Sequence, residues 1–227
     1  MPTTNVSRPS GFKPLRYLNG NDWNGQAQTY AFSSSNSAAC FKYDLVIFDA
    51  TNRTAPLTDW MPGLPFVASG AADVTTVAQR GVVVGFLPEP EFSMSGTASL
   101  GLMYRLASTN RWAQVIDDPS VIFEAEEETG GYTSASNNII GKAIGTDYVA
   151  GSTITGVSRA TIKSSDSQTA AVRPFKVLRF VPRPDNFGFS AADNPTYAKY
   201  EILPFNWDLS LAYAAATSAS ATLVVGA

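Results

Sequence analysis

The chain of 227 residues contains no histidine and only one cysteine, Cys40. Because histidine is the most common general base and metal ligand, its absence excludes a Ser-His-Asp triad, a Cys-His pair and any histidine-ligated metal. A single cysteine cannot form an internal disulfide, and we interpret Cys40 as a small buried apolar residue. No glycine-rich phosphate-binding loop is visible either. The sequence points away from catalysis, and we expect no catalytic residue, no metal and no cofactor.

Charge is also scarce: charged residues make up 15% of the chain, against roughly 25% in an average domain. Sixteen Lys and Arg against nineteen Asp and Glu give a net charge of −3, and the basic residues form no run. Nucleic-acid binders need a basic stripe, so we expect no nucleic-acid partner. No apolar stretch approaches the ~20 residues that span a bilayer. Since the N-terminus also lacks a signal-peptide pattern, we expect synthesis in a cytoplasm and no membrane partner.

The densest group of acidic residues lies between Asp117 and Glu128. Glu124 and Glu126 are two residues apart in a predicted strand, which places them on one face at roughly 6–7 Å. Such a pair could serve a glycosidase. Asp117, Asp118 and Glu124 could bind calcium. We prefer the simpler interpretation, a solvated strand end.

Short strands with turn residues between them dominate the rest of the chain. Spacings of ~8–12 residues, with no alternation of strands and helices, favour an all-β sandwich or barrel of the jelly-roll kind. The body is expected at residues 41–208, with one weakly helical stretch at 137–145 and a turn at 164–167. The predicted strands are Phe41–Phe48, Val74–Gln79, Val82–Phe86, Met103–Ala107, Arg111–Ile116, Val121–Glu126, Ile154–Ile162, Ala171–Val181 and Lys199–Phe205.

The two ends of the chain differ in composition from the body. Residues 1–40 are rich in proline and glycine, which break helices, yet they also carry many large apolar side chains. We interpret this segment as an extended arm that either folds onto its own body or lies on a partner. Residues 209–227 are rich in Ala, Ser and Thr and are interpreted as a C-terminal tail.

One sequence motif occurs twice. Phe86 is followed by a Pro-x-Pro pair and an acid, and Phe180 is followed by the same pattern 94 residues later. We favour an interpretation in which each phenylalanine anchors a core strand and the prolines stiffen its exit, over one in which the prolines form a docking surface. The spacing suggests two topologically related strands, as an old duplication would leave, although little other sequence matches.

Several segments together resemble a family of tailed-bacteriophage head proteins, the capsid decoration or cement proteins. The resemblance is carried by structural phrases rather than by catalytic signatures. The matching segments are Gly11–Gly20, Trp23–Gly25, Gly81–Phe86 with its Pro-x-Pro, Arg111–Glu124 with Asp117-Asp118-Pro119, Val177–Asn186 and Tyr200–Ile202.

The resemblance implies a structural virion protein rather than an enzyme. The protein would be made in the host cytoplasm. It would bind the outside of an icosahedral head and bridge neighbouring subunits of the major capsid protein. Its partners would be that protein and itself, as a homodimer or homotrimer at a symmetry axis. Four arm residues are expected to contact the capsid or a neighbouring subunit: Phe12, Arg16, Tyr17 and Trp23.

Two further expectations follow from these assignments. Deletion of residues 1–32 should leave a folded body that no longer decorates heads. The alternative function is a carbohydrate-binding β-sandwich on a virion or cell surface, in which Trp60, Trp112 and Tyr132 would stack on sugars.

Overall fold

The protein is a β-sandwich in the computed structural model, which describes residues 5–49, 64–70, 78–87, 103–128, 139–168, 173–186 and 196–209. Every regular element within these ranges is a strand, and all ladders between strands are antiparallel. Two sheets pack against each other and are not closed into a barrel. The all-β prediction is confirmed, and of its two forms the sandwich is the one observed. Among the described residues none forms a helix long and apolar enough to cross a membrane.

One sheet has six strands in the order β1-β7-β11-β10-β8-β9, and the other has five in the order β2-β6-β5-β3-β4. The strands are β1 (Lys13–Tyr17), β2 (Gln28–Phe32), β3 (Leu45–Phe48), β4 (Val67–Ser69), β5 (Gly81–Phe86), β6 (Arg111–Ile116), β7 (Val121–Glu126), β8 (Ala143–Asp147), β9 (Thr161–Gln168), β10 (Phe175–Phe180) and β11 (Lys199–Pro204).

Strands with strong apolar patterns were predicted at their observed places, as β5, β6, β7 and β11 show. Predictions from weaker sequence patterns were wrong in several places. The Ser-rich stretch at 164–167 is not a turn but part of β9, because pairing with β8 overrides the turn preference of Ser and Asp. The weakly helical stretch contains the start of β8, and residues 103–107 form a loop rather than a strand. Val74–Gln79 lies largely outside the described residues, as does the tail from residue 210.

The expected extended arm is instead part of both sheets. β1 pairs with β7 in the six-stranded sheet, and β2 pairs with β6 in the five-stranded sheet. Even the residues before β1 are attached, since both carboxylate oxygens of Glu126 accept the Arg8 N–H at 3.0 Å. The expectation that a body lacking residues 1–32 would fold stays a prediction, and that deletion would remove one strand from each sheet.

The two sheets have one topology in common. Taken as a set of five, β2–β6 lie across their sheet in the order first, fifth, fourth, second and third. The five strands β7–β11 lie in the same order. In each set the first strand also meets the third at a single parallel bridge, Ala31 with Phe66 and Glu127 with Ile162. Each five-strand set therefore curls so that its two outer strands touch at one point.

The phenylalanine of each Phe-x-Pro-x-Pro motif, Phe86 or Phe180, is the last residue of the fourth strand of its set. The irregularity in pairing also repeats at the 94-residue spacing, at Val83–Gly85 in β5 and at Val177–Arg179 in β10. Phe180 is buried, whereas Phe86 is half-buried against the apolar cluster inside the five-stranded sheet. The prediction of two topologically related strands is confirmed, and each phenylalanine packs against an apolar cluster.

The main core lies between the sheets and contains a group of aromatic rings. Phe12 stacks on Phe175 with ring centroids 5.0 Å apart, and Trp207 meets Phe175 at 6.0 Å and Phe123 at 5.8 Å. Phe12 and Trp207 lie near the two ends of the described chain, so the core joins both ends to the strands β7 and β10. Aromatic pairs of this kind add about 0.5–1.5 kcal/mol each beyond the burial of their area.

Phe12→Ala should lower the free energy of unfolding by about 3–5 kcal/mol, because it leaves a cavity beside Phe175. Urea unfolding followed by circular dichroism measures this change. Leu18→Ala is the matched control: Leu18 follows β1 and is 58% exposed, so its truncation should cost less than about 0.5 kcal/mol. Equal costs for the two variants would contradict the placement of Phe12 in the core.

Candidate contact surface

Three of the four predicted contact residues lie in one hairpin at an edge of the six-stranded sheet. After β1 the chain turns at Gly20, whose φ of +92° favours glycine. Backbone bonds from Tyr17 N to Asn21 O at 2.8 Å and from Gly20 N to Tyr17 O at 2.9 Å close the turn. A bridge between Arg16 and Asp22 then returns the chain antiparallel to β1. The turn is therefore fixed, and it holds the residues that follow beside β1.

Tyr17 and Trp23 are half-buried at the margin of the main core. The Tyr17 hydroxyl donates to Oδ1 of Asn24 at 2.9 Å, and the Trp23 ring N–H donates to the Gln26 carbonyl at 3.3 Å. These bonds hold the polar end of each side chain, while part of each side chain remains accessible to a partner.

Arg16 lies on the outer face of the sheet and is bound to a carboxylate there. Glu201 of β11 accepts hydrogen bonds from Arg16 and from Nη2 of Arg179, the second at 2.8 Å. Burial would raise the pKa of the Glu201 carboxyl, but the hydrogen bonds and charges of the two arginines outweigh it and hold that pKa below its usual range. Arg179 is the more exposed cation, with 55% of its side chain accessible.

Phe12, the fourth predicted contact residue, has none of its surface exposed. It belongs to the core, because the chain passes between the two sheets before β1 begins, and its assignment to a contact surface is corrected. The roles of Arg16, Tyr17 and Trp23 stay predictions. We define these three residues together with Leu18 and Arg179 as the hairpin surface.

The two carboxylates considered for catalysis share the outer face of β7 and have structural partners. Nη2 of Arg183 donates to Oε1 of Glu124 at 2.6 Å. Glu126 accepts bonds from the Arg8 N–H and from the Ser7 hydroxyl. Burial raises the pKa of Glu126 above its usual value, and these two bonds oppose that rise in part. Both side chains are buried on the face where a solvated strand end was expected.

The residues considered for calcium are engaged separately. Asp117 accepts the Tyr30 hydroxyl at 2.7 Å, and Asp118 accepts the Ser120 N–H and hydroxyl within its own turn. Nowhere in the described part of the chain do three or more His, Cys, Asp or Glu side chains form a group that could hold a metal ion.

The aromatic platform considered for carbohydrate can be examined at one position. Trp112 lies in β6 opposite Ala31 and is half-buried. Trp60 and Tyr132 lie outside the described residues.

Two buried carboxyl groups were missed by the sequence analysis. Asp44 has no exposed surface and accepts the Phe41 N–H at 2.7 Å, and burial raises its pKa from 3.8 to about 7. Glu127 follows β7 and is equally buried, and burial raises its pKa from 4.5 to about 7, with a further increase from the charge of Glu128. The pairing registers place Glu127 where Phe32 lies in the other set of strands. No pattern in the sequence marks either residue as buried.

The chain matches no protein-family model, no curated protein and no solved structure. The candidate function therefore rests on the residues and their geometry.

The two buried carboxyls should make the protein more stable in mild acid than at neutral pH. Because their pKa values are higher in the folded than in the unfolded state, the folded state binds more protons between about pH 4 and 7. The free energy of unfolding should therefore fall as pH rises through this window and level off above about pH 7. Urea unfolding between pH 5 and 8 avoids the range in which Glu201 is protonated.

Glu127→Gln should reduce that fall by on the order of 2 kcal/mol, since glutamine does not titrate. Leu18→Ala, at an exposed position of the hairpin, removes no titratable group and should leave the pH dependence as it is in the wild type. A Glu127→Gln variant with the wild-type pH dependence would show that Glu127 is not buried as described.

Proposed function

We propose that the protein is a structural virion protein that decorates the outside of an icosahedral phage head and stabilises it by bridging subunits of the major capsid protein. The observation that carries the proposal is the hairpin surface. A fixed turn presents Arg16, Tyr17 and Trp23 at one edge of a rigid body.

These residue types suit a protein partner. Trp, Tyr and Arg are the side chains most enriched among residues that dominate binding energy, since each offers a large rigid area with a polar end. Arg179 adds an exposed guanidinium beside the paired Glu201. Because the rings are already held by hydrogen bonds, little side-chain freedom would be lost on binding.

The segments that carry the family resemblance support the same reading. They fall on β1 and its hairpin, on β5, on β6 and β7, and on β10 and β11. The resemblance thus covers strands of both sheets and the hairpin surface. A lattice of identical sites would favour such a protein, because about 800 Å² buried per partner suffices for a specific contact and linked sites add through multivalency.

The proposal expects a major capsid protein gene beside the gene for this chain, and the test is binding to expanded heads assembled from that capsid protein. Wild-type protein should pellet with the heads in a saturable manner and form an ordered outer layer in electron cryomicroscopy. Leu18→Asp should weaken binding at least tenfold, because it places a charge at the tip of the hairpin surface without touching the core. Trp23→Ala should do the same through lost contact area.

Ile140→Asp provides the control: Ile140 is exposed in the turn before β8, which three strands separate from β1, and should leave binding intact. Wild-type protein that fails to bind heads would overturn the proposed function. Head binding unchanged by Leu18→Asp and Trp23→Ala would keep the function but reject the hairpin as the contact. Binding to a glycan array without heads would instead favour the carbohydrate-binding alternative.

A further inference from the structure

Three loops form a continuous surface at the end of the five-stranded sheet where β2 stops and β6 begins. They are residues 33–39 after β2, 103–110 before β6 and 148–157 after β8, and we call them the loop face. They contact one another through main chain and side chains: Ser108 N donates to Asn36 O at 3.0 Å, and the Tyr148 hydroxyl donates to Ala39 O at 3.4 Å.

A buried arginine holds two of these loops in one shape. Arg105 has no exposed surface, and its guanidinium donates only to backbone carbonyls among the hydrogen bonds described. These carbonyls belong to both loops, and the distances run from 2.6 to 2.9 Å. The residues that accept these bonds are Thr109 in its own loop and Ser33, Asn36 and Ala38 in the neighbouring loop.

The third loop packs onto the second through its glycines. A Cβ on Gly156 would lie 2.4 Å from Cβ of Met103, so only glycine allows this approach. Gly151 packs against the Phe41 ring, which stacks on Tyr104 at 5.0 Å. The loop face is thus shaped before any partner arrives.

Large apolar side chains project from this shaped surface. Ile154 is 95% exposed at the tip of the third loop, and Met103 is 59% exposed beside Gly156. Leu106 and Val149 add smaller exposed areas. The Ile154 side chain is almost completely exposed to water, so it does not contribute to the stability of the fold, because an apolar side chain stabilises a protein only when it is buried.

The loop face also carries no exposed charge. Of its twenty-five residues, twenty-three are at least partly exposed, and its one charged side chain is the buried Arg105. Lys42 and Arg159 lie outside the three loops. The Lys42 ammonium lies 4.9 Å from the centre of the Tyr43 ring. The outer face of the six-stranded sheet, by contrast, is built from ion pairs.

We propose that the loop face is a homodimer interface, covered by the loop face of a second copy of this chain. In an interface with two-fold symmetry each residue near the axis faces its own copy, so a charge there would meet the same charge. A surface with no exposed charge avoids that repulsion and resembles the charge-depleted centre of known interfaces. Its size agrees, because a standard interface uses roughly 20–30 residues on each side.

Sedimentation velocity of the purified full chain, over a wide range of concentrations, tests the proposal without any capsid. Wild-type protein should sediment as a dimer at micromolar concentration. Ile154→Asp should shift the protein to monomer and raise the dissociation constant of the dimer at least tenfold, because the substitution places like charges opposite each other. Since Ile154 has no packing role in the fold, the variant should keep the wild-type unfolding midpoint after the contribution of dimerisation is removed by dilution.

Ile140→Asp is the matched control, the same substitution at the other end of β8, and should remain dimeric. Wild-type protein that is monomeric at every concentration, or a dimer that Ile154→Asp leaves intact, would overturn the proposal. A trimer would overturn two-fold pairing as well. If wild-type protein is monomeric and Ile154→Asp abolishes head binding, the occupant is the capsid rather than a second copy. The outcome does not depend on the decoration function, which the head-binding assay tests separately.

Discussion

The stacking of Phe12 on Phe175, with Phe123 and Trp207 around them, is the interaction on which the rest of the structure depends. The four rings come from the segment before β1, from β7, from β10 and from the segment after β11. The contact therefore joins stretches of chain that are distant in sequence, and the loop-closure entropy it must overcome is correspondingly large. Once Phe12 is in place, β1 can only begin at the edge of β7, and the hairpin surface is positioned as a consequence.

The repeated topology allows the two five-strand sets to be compared position by position. Corresponding positions of the two five-strand sets carry Phe32 and Glu127, and both residues are buried. A carboxyl at such a position is tolerated in its protonated form, because the charged form would lose its hydration without a cation in compensation. The two sets have thus kept a common backbone arrangement while their interiors differ in chemistry.

The sequence predicted the all-β class, the central strands and the equivalence of the two Phe-x-Pro-x-Pro phrases, because these depend on local apolar patterns. It did not predict that residues 13–17 and 28–32 belong to the sheets. Proline and glycine nearby suggested an arm, but strand membership was decided by pairing with β6 and β7, which are about 80 to 110 residues away. The loop face was also missed, since its charge-free character emerges only when three separated segments lie together, although each segment alone already lacks acidic residues.

The hairpin surface and the loop face are separate surfaces of one chain, and this separation connects the two proposals. β2 and β6 lie between the segment that follows the hairpin and the loops at 33–39 and 103–110, so these two loops are about 16 Å, the length of a five-residue strand, from the start of β2. A bridging protein must contact two subunits at once, and one hairpin surface on one chain reaches only one of them. Pairing through the loop faces would leave both hairpin surfaces uncovered, so that one dimer offers two identical contacts. Bridging would then follow from symmetry, with no need for a second kind of capsid-binding site on the chain.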